Sequence, residues 1–147
     1  LVVTSGICTE EALRARSALA DAGVSIRHLH LHTIKPFNAQ TLLDHIGSVR
    51  HGIAVLENHV TEGGVGSLVA ETMADAGVGK RLVRLGPKDT YAHGGSRSYL
   101  MRYYGLDALA LVQGIEDLMA HKFGISEDDL SAARVDAVHS LVKAEGL

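Results

Sequence analysis

Residues Ile53–Glu71 read IAVLENHVTEGGVGSLVAE, and the fold follows from how this stretch divides. A short apolar run, Ile53 to Leu56, meets a carboxylate at Glu57, crosses a polar turn ending in Gly63-Gly64, and resumes at Val65 with helical period. This predicts a buried strand, a loop and a helix. Gly63, Gly64 and Gly66 lack Cβ atoms, so the backbone there can approach a ligand or another backbone closely. Two readings stay open at this point: a phosphate cradle, or a tightly packed junction.

A dinucleotide fold places its glycines directly after a strand and an acidic residue about 20 residues on, where it holds a ribose. Here five residues separate Glu57 from Gly63, and the next apolar run ends in Arg84-Leu85-Gly86 with no acid to meet a ribose. Close packing is therefore the expected role of the glycines.

The same alternation extends outward. Leu1 to Thr4 is an apolar and β-branched run, as in a strand buried on both faces. Thr9 is placed to cap a helix with Glu10 and Glu11 in its first turn, Ala12, Leu13, Ala15, Ala18 and Leu19 as its small and apolar positions, and Gly23 at its stop. A second strand is expected from Val24 to about Leu31, and Asn38 caps a helix to about Val49. The third helix turns Leu68, Val69, Met73 and Ala76 inward and ends at Gly77. Arg81–Leu85 alternates as a fourth strand, before the turn-rich loop Lys88–Ser96, a helix to Tyr104, and another from Asp107 to about His121. Ser126 followed by Glu127, Asp128 and Asp129 starts a last helix to about Lys143. Strands alternating with helices indicate an α/β fold: a three-layer open, mostly parallel sheet of about five strands with helices on both faces.

At 147 residues and 46% hydrophobic composition the chain is long enough for one real core. A net charge of −3 gives no basic footprint, so no nucleic acid and no membrane is expected as a partner. No apolar run approaches the ~20 residues of a membrane span. One cysteine, Cys8, excludes an internal disulfide framework and points to a cytoplasmic location. A strand starting flush at Leu1 suggests a piece of a longer polypeptide.

His28, His30 and His32 fall on one face of the second strand, a spacing that could supply nitrogen ligands to zinc. No further ligand is evident, so a polar rim or subunit contact is the expected role. His59 near Glu57 and His93 in the glycine loop have acid–base chemistry available, but loop histidines beside glycines are commonly surface residues. Cys8 has no partner base and is expected to be a buried apolar residue. Tyr91, Tyr99, Tyr103 and Tyr104, with Met101, cluster around the fifth helix beside Arg97 and Arg102, which suits core packing and also a protein interface.

Three segments together resemble a known family. RHLHLHTIKPFN (Arg27–Asn38), IAVLENHVTEGGVGSLVAE and RLGPKDTYAHGGSRSYLMRYYGLDA (Arg84–Ala108) are similar, in order and separation, to elements of the C-terminal domain shared by transketolases, deoxyxylulose phosphate synthases and the beta chains of 2-oxo acid dehydrogenases. The glycine loop and GLDA ending look most like the C-terminal subunits of split transketolases. His30, His32 and Asn38 depart from that pattern.

The resemblance covers residues 1–121 as the family domain and leaves 122–147 as an additional C-terminal helix, packed on it or on a partner. It implies a structural and dimerisation domain of an enzyme moving a two-carbon ketol unit between sugar phosphates. Thiamine diphosphate and Mg belong to pyrophosphate- and pyrimidine-binding domains or a subunit outside this chain. It further implies a homodimer, no catalytic, cofactor or metal residue in this chain, and interface or structural roles for Glu57, His59, Gly63, Gly64, Gly66, Asp89 and His93. The alternatives are the corresponding domain of a 2-oxo acid dehydrogenase beta chain and a free-standing interaction module.

Overall fold

The computed structural model describes residues 1–132. They run β1 (Val2–Thr4), α1 (Cys8–Asp21), β2 (His28–His30), α2 (Ala39–Gly47), β3 (Ile53–Leu56), α3 (Val65–Asp75), β4 (Leu82–Leu85), α4 (Arg97–Tyr103), α5 (Ala108–Met119) and α6 (Glu127–Ala132). The strands form one parallel sheet in the order β2-β1-β3-β4. That is four strands among the described residues rather than about five, because every apolar stretch after β4 has helical period and none extends the sheet.

Period two divides each strand between two cores. Val2, Ala54 and Leu56 pack with α1 and α5 through Ala12, Ala15, Leu19, Leu111 and Val112. Val3, Ile53 and Val55 pack on the other face with α2 and α3 through Leu42, Ile46, Val69 and Met73. All four residues of β3 are 0% exposed, which is why Ile53–Leu56 shows no polar alternation in the sequence.

Several boundaries differ from expectation. β2 is limited to His28–His30: Val2 N–H bonds to Arg27 O (2.8 Å), Leu31 N–H to Thr4 O (2.8 Å), and the ladder ends there. Val24 and Ile26 instead pack against the α1–α5 layer. Helix α1 begins at Cys8 with Ile7 at its N-cap and no side-chain cap, so Thr9 does not cap it. Leu68 is half-buried and Ala76 exposed, whereas Thr72 is buried and donates its hydroxyl to Leu68 O (2.7 Å).

The local caps hold where the polar side chain bonds within its own turn. Asn38 Oδ1 accepts Thr41 N–H (3.0 Å) and Asp107 Oδ1 accepts Ala110 N–H (2.9 Å). Ser126 and Asp129 bond reciprocally at the start of α6, whose Leu130 is buried. Arg14 reaches Leu130 O (3.3 Å) from α1. The expected continuation of this helix to Lys143 lies outside the described residues from 133 onward.

Gly52 leads the chain into β3 at φ +147°, and a Cβ there would sit 2.6 Å from Arg81 O, the carbonyl that accepts Ile53 N–H. Gly52→Ala is therefore expected to cost roughly 2–4 kcal/mol in denaturant unfolding. Gly79→Ala, which meets nothing within 4 Å, should stay within about 0.5 kcal/mol. Equal effects at the two positions would refute this account of the strand entry.

Candidate functional site

A parallel sheet of this order changes direction between β1 and β3, and ligands of open α/β sheets bind outside the carboxyl ends of the strands at such a point. The sequence puts Glu57 there, one residue past β3, and folds the glycine turn back over it. Glu57 is buried, Oε2 accepting Val65 N–H (2.6 Å) and Oε1 accepting Gly66 N–H (2.8 Å). Its carboxylate thus occupies the N-terminus of α3, meeting two of the helix's free donors and the positive end of its dipole.

The glycines are what let it in. A Cβ on Gly64 would collide with the Glu57 carboxylate, and one on Gly66 would lie 2.8 Å from Arg84 Cδ and 3.1 Å from Glu57 Oε1. Gly63 turns the chain at φ +75°, its N–H donating to Ser67 Oγ (2.9 Å). Arg84 Nη1 holds the loop from β4 through Thr61 O (3.0 Å).

A crevice of about 460 Å³ lies beside this turn, lined by Ser5, Ile34, His59, Ser67, Leu68 and Glu71 with the glycines. His59 is exposed, and its Nδ1 donates to Val60 O (2.8 Å), a bond that fixes the proton on that nitrogen. No base–nucleophile pair is assembled in the crevice. Its lining mixes aliphatic side chains and glycine backbone with the polar Ser5, Glu57, His59, Ser67 and Glu71.

The histidine row separates into different environments. His28 Nε2 bonds to the buried Thr4 Oγ1 (2.8 Å), Thr4 to Thr9 Oγ1 (3.0 Å), and Thr9 to His30 Nδ1 (2.7 Å). His32 lies beyond the end of β2, its ring 6.2 Å from that of His30. No group of three or more His, Cys, Asp or Glu among the described residues is arranged to hold a metal ion.

His28, Thr4, Thr9 and His30 form a chain of three hydrogen bonds, and two hydroxyl protons cannot fill all three, so at least one imidazole must donate inward. Burial first, then His30 and Arg16, lower the His28 pKa from its ordinary value.

Elsewhere, Asp89 is exposed in the loop after β4. His93 is bracketed by tyrosines: Nδ1 and the backbone N–H meet Tyr104 Oη (3.1 and 3.2 Å), and Nε2 meets Tyr99 Oη (3.2 Å). The Tyr103 ring stands edge-on at 4.8 Å. Burial, with Glu11 and Glu57 adding, pushes the Cys8 thiol up to about 12, which leaves it a protonated, unreactive core group at neutral pH.

Sequence reading missed two buried carboxylates that work as Glu57 does. Glu11 Oε2 accepts Ala108 N–H (2.9 Å) at the start of α5, and Glu116 accepts Phe123 N–H (2.8 Å) and a Lys122 ammonium bond (2.7 Å). No local spacing signals either bond to the backbone. Thr4, at the end of an apolar strand, was the available signal for the histidine chain.

Glu57→Ala strands two buried N–H groups and should cost roughly 2–5 kcal/mol. Gly64→Ala expels the same carboxylate, so the double variant should be far less destabilised than the sum of the singles. Simple additivity in urea unfolding would show that the two residues are not one unit.

Because the His28 pKa is lowered on folding, the unfolded chain binds the proton more readily. His28 thus contributes stability present above its unfolded pKa of about 6.5 and lost as pH falls through the lower folded value. Melting temperatures between pH 7.5 and 5 should fall less in His28→Gln than in the parent. An unchanged slope would remove His28 from the linkage.

Comparison with known proteins follows the same geography. The family described as "Transketolase, C-terminal domain" matches residues 1–111. The chain is 33% identical over 125 residues to 1-deoxy-D-xylulose-5-phosphate synthase of Syntrophotalea carbinolica, covering 84% of this chain and 19% of that protein. It is 31% identical over 122 residues to a 6-deoxy-6-sulfo-D-fructose transketolase subunit of Clostridium sp. (strain MSTE9), covering 82% and 37%. A solved structure described as a split-gene transketolase, inactive beta4 tetramer, superposes with TM-score 0.71 at 26% identity, over 82% of this chain and 38% of that one. The chain thus spans about a fifth to somewhat over a third of these relatives. With the parallel sheet and the glycine turn in place, this match over most of its length makes the chain a member of the transketolase C-terminal domain family.

Proposed function

We propose that this chain is the C-terminal structural and dimerisation domain of a cytoplasmic, thiamine diphosphate-dependent enzyme of carbohydrate metabolism, which transfers a two-carbon ketol unit between sugar phosphates. The chain supplies no catalytic residue itself. The observation that carries this reading is the Glu57 carboxylate seated on the N-terminus of α3. The fold's customary anion site at the end of the central strand is filled from within, which suits a domain that packs rather than one that binds substrate.

The residues present do not fit thiamine diphosphate or its magnesium ion. A diphosphate approaching α3 would meet a buried negative charge and find the Val65 and Gly66 donors already engaged. The cofactor therefore belongs to pyrophosphate- and pyrimidine-binding domains, on the same polypeptide or on a separate subunit. The Clostridium relative is itself one subunit of a transketolase, which supports an arrangement on two chains.

The face offered to those domains is the loop Lys88–Ser96 with α4, where Asp89 and His93 lie. Tyr91 is fully exposed, Tyr99 is 48% exposed and Tyr103 61%. Exposed tyrosines contribute large rigid contact area at low entropy cost, and His93 stiffens the loop that presents them. Glu57, His59, Gly63, Gly64 and Gly66 brace the adjoining turn. Residues 1–121 form the domain proper, and 122–147 an appended segment whose described part carries α6.

The test is reconstitution with the thiamine-binding domains. The chain alone should show no ketol transfer, and the reconstituted enzyme should show it. Tyr91→Ser, which removes no internal contact, should weaken assembly about tenfold or more while leaving the melting temperature of the isolated chain unchanged. Ketol transfer by the isolated chain, or assembly indifferent to Tyr91, would sink the reading.

A further inference from the structure

The last described helix lies beyond the stretch matched by the family, which ends at residue 111. Helix α6 packs on α1 and α5, and its Leu130 is buried in the core that also seats Met101 of α4. Where the four helices meet, a cavity of about 90 Å³ is lined by five charged groups. Glu11 and Arg14 come from α1, Arg102 from α4, Asp107 from the N-cap of α5, and Glu127 from α6.

Their pairings are specific. Glu11 Oε2 accepts from Arg14 Nη1 (2.9 Å) and Ala108 N–H (2.9 Å), and Asp107 Oδ1 accepts Ala110 N–H (2.9 Å). Arg102 pairs with Glu127 at 2.6 Å. Arg14 also donates to Leu130 O (3.3 Å). Helix α6 is thus tied to α1 through its backbone and its leucine, and to α4 through its carboxylate.

Helix α4 depends on such ties. It has seven residues, too few to hold a helix by propensity, and Met101 is its buried side chain. Glu10 pairs with Arg97 (2.7 Å) near its start, and Glu127 with Arg102 near its end. The bland alternative is that Arg102 serves only the negative end of the helix dipole. The chain already meets the carbonyls there, through Tyr104 N–H to Leu100 O (3.0 Å), Gly105 N–H to Arg102 O (3.1 Å) and Leu106 N–H to Met101 O (2.7 Å).

We propose that α6 is a brace for the assembly face: anchored by Leu130, it fixes the setting of α4 through Glu127 and Arg102, and so tunes how firmly the chain takes up the thiamine-binding domains. This rests on the tyrosines of α4 and the preceding loop being what those domains meet. Tyr103 follows Arg102 directly and Tyr99 lies one turn before it, so the angle of α4 sets where both rings stand. The segment appended to the family domain thereby acts on a surface carried by the domain itself.

Amide hydrogen exchange of the 147-residue chain alone tests the brace with no partner present. Glu127→Gln should speed exchange across α4 about threefold, the scale of an exposed ion pair, and leave β3 and α3 unchanged. Leu130→Ala, which unseats α6, should act by a similar factor, and adding Glu127→Gln to it should change α4 no further. The exchanged pair, Arg102→Glu with Glu127→Arg, should restore the parent rate. Exchange in α4 that ignores Glu127→Gln, or that the exchanged pair does not restore, would overturn the proposal. Glu127 is exposed, so its variant decides the matter even where Leu130→Ala does not fold. In reconstitution with the thiamine-binding domains, Glu127→Gln should weaken assembly about threefold and the exchanged pair should recover it. Assembly weakened by Tyr91→Ser but not by Glu127→Gln would refute the coupling and leave the face standing. Assembly indifferent to Tyr91→Ser, with α4 exchange still governed by Glu127, would remove the face and leave the brace.

Discussion

One buried carboxylate sets the geometry on which the rest of this domain depends. Glu57 leaves the central strand with no water to solvate it, and an unpaired carboxylate there would cost several kcal/mol. It survives because α3 brings Val65 and Gly66 N–H onto its two oxygens. For that helix to arrive at hydrogen-bond distance, Gly64 and Gly66 must lack side chains. The polar turn, its glycines and the angle of α3 are consequences of one charge. Gly86, after β4, extends the same constraint: a Cβ there would lie 2.6 Å from His59 O.

The device recurs. Glu11 reaches from α1 to the first turn of α5, ninety-seven residues away in sequence, and Arg14 balances its charge. Glu116 draws in Phe123 N–H and Lys122 after α5 has ended. Each of these carboxylates bonds to backbone donors outside its own helix, so tertiary structure replaces the local cap. Their burial makes the arrangement specific, since a shifted helix would leave both a charge and a donor unmet.

That difference explains what the sequence made legible. Asn38 and Asp107 cap donors three residues on, a separation visible as a pattern, and both were readable. The four apolar residues of β3 and the glycine stops behind α1 and α3 were readable for the same local reason. Thr9 has the right residue type for a cap, yet its hydroxyl is drawn into the link between Thr4 and His30, and only the register of β1 with β2 brings those groups together. The histidine row had ligand-like spacing. The end of the β2 ladder and the hydrogen bonds to threonine hydroxyls divide it, and neither is a property of spacing. Glu57 stands near the glycines in the sequence, but its bonds to Val65 and Gly66 follow from the fold of the loop between them.

At the carboxyl edge, where α/β folds usually place their chemistry, backbone donors of α3 are consumed by the protein's own anion. An internal anion supplies the close packing there. Beyond the carboxyl ends of the strands, the bonds that His93 makes to Tyr99 and Tyr104 tie the loop after β4 to the end of α4.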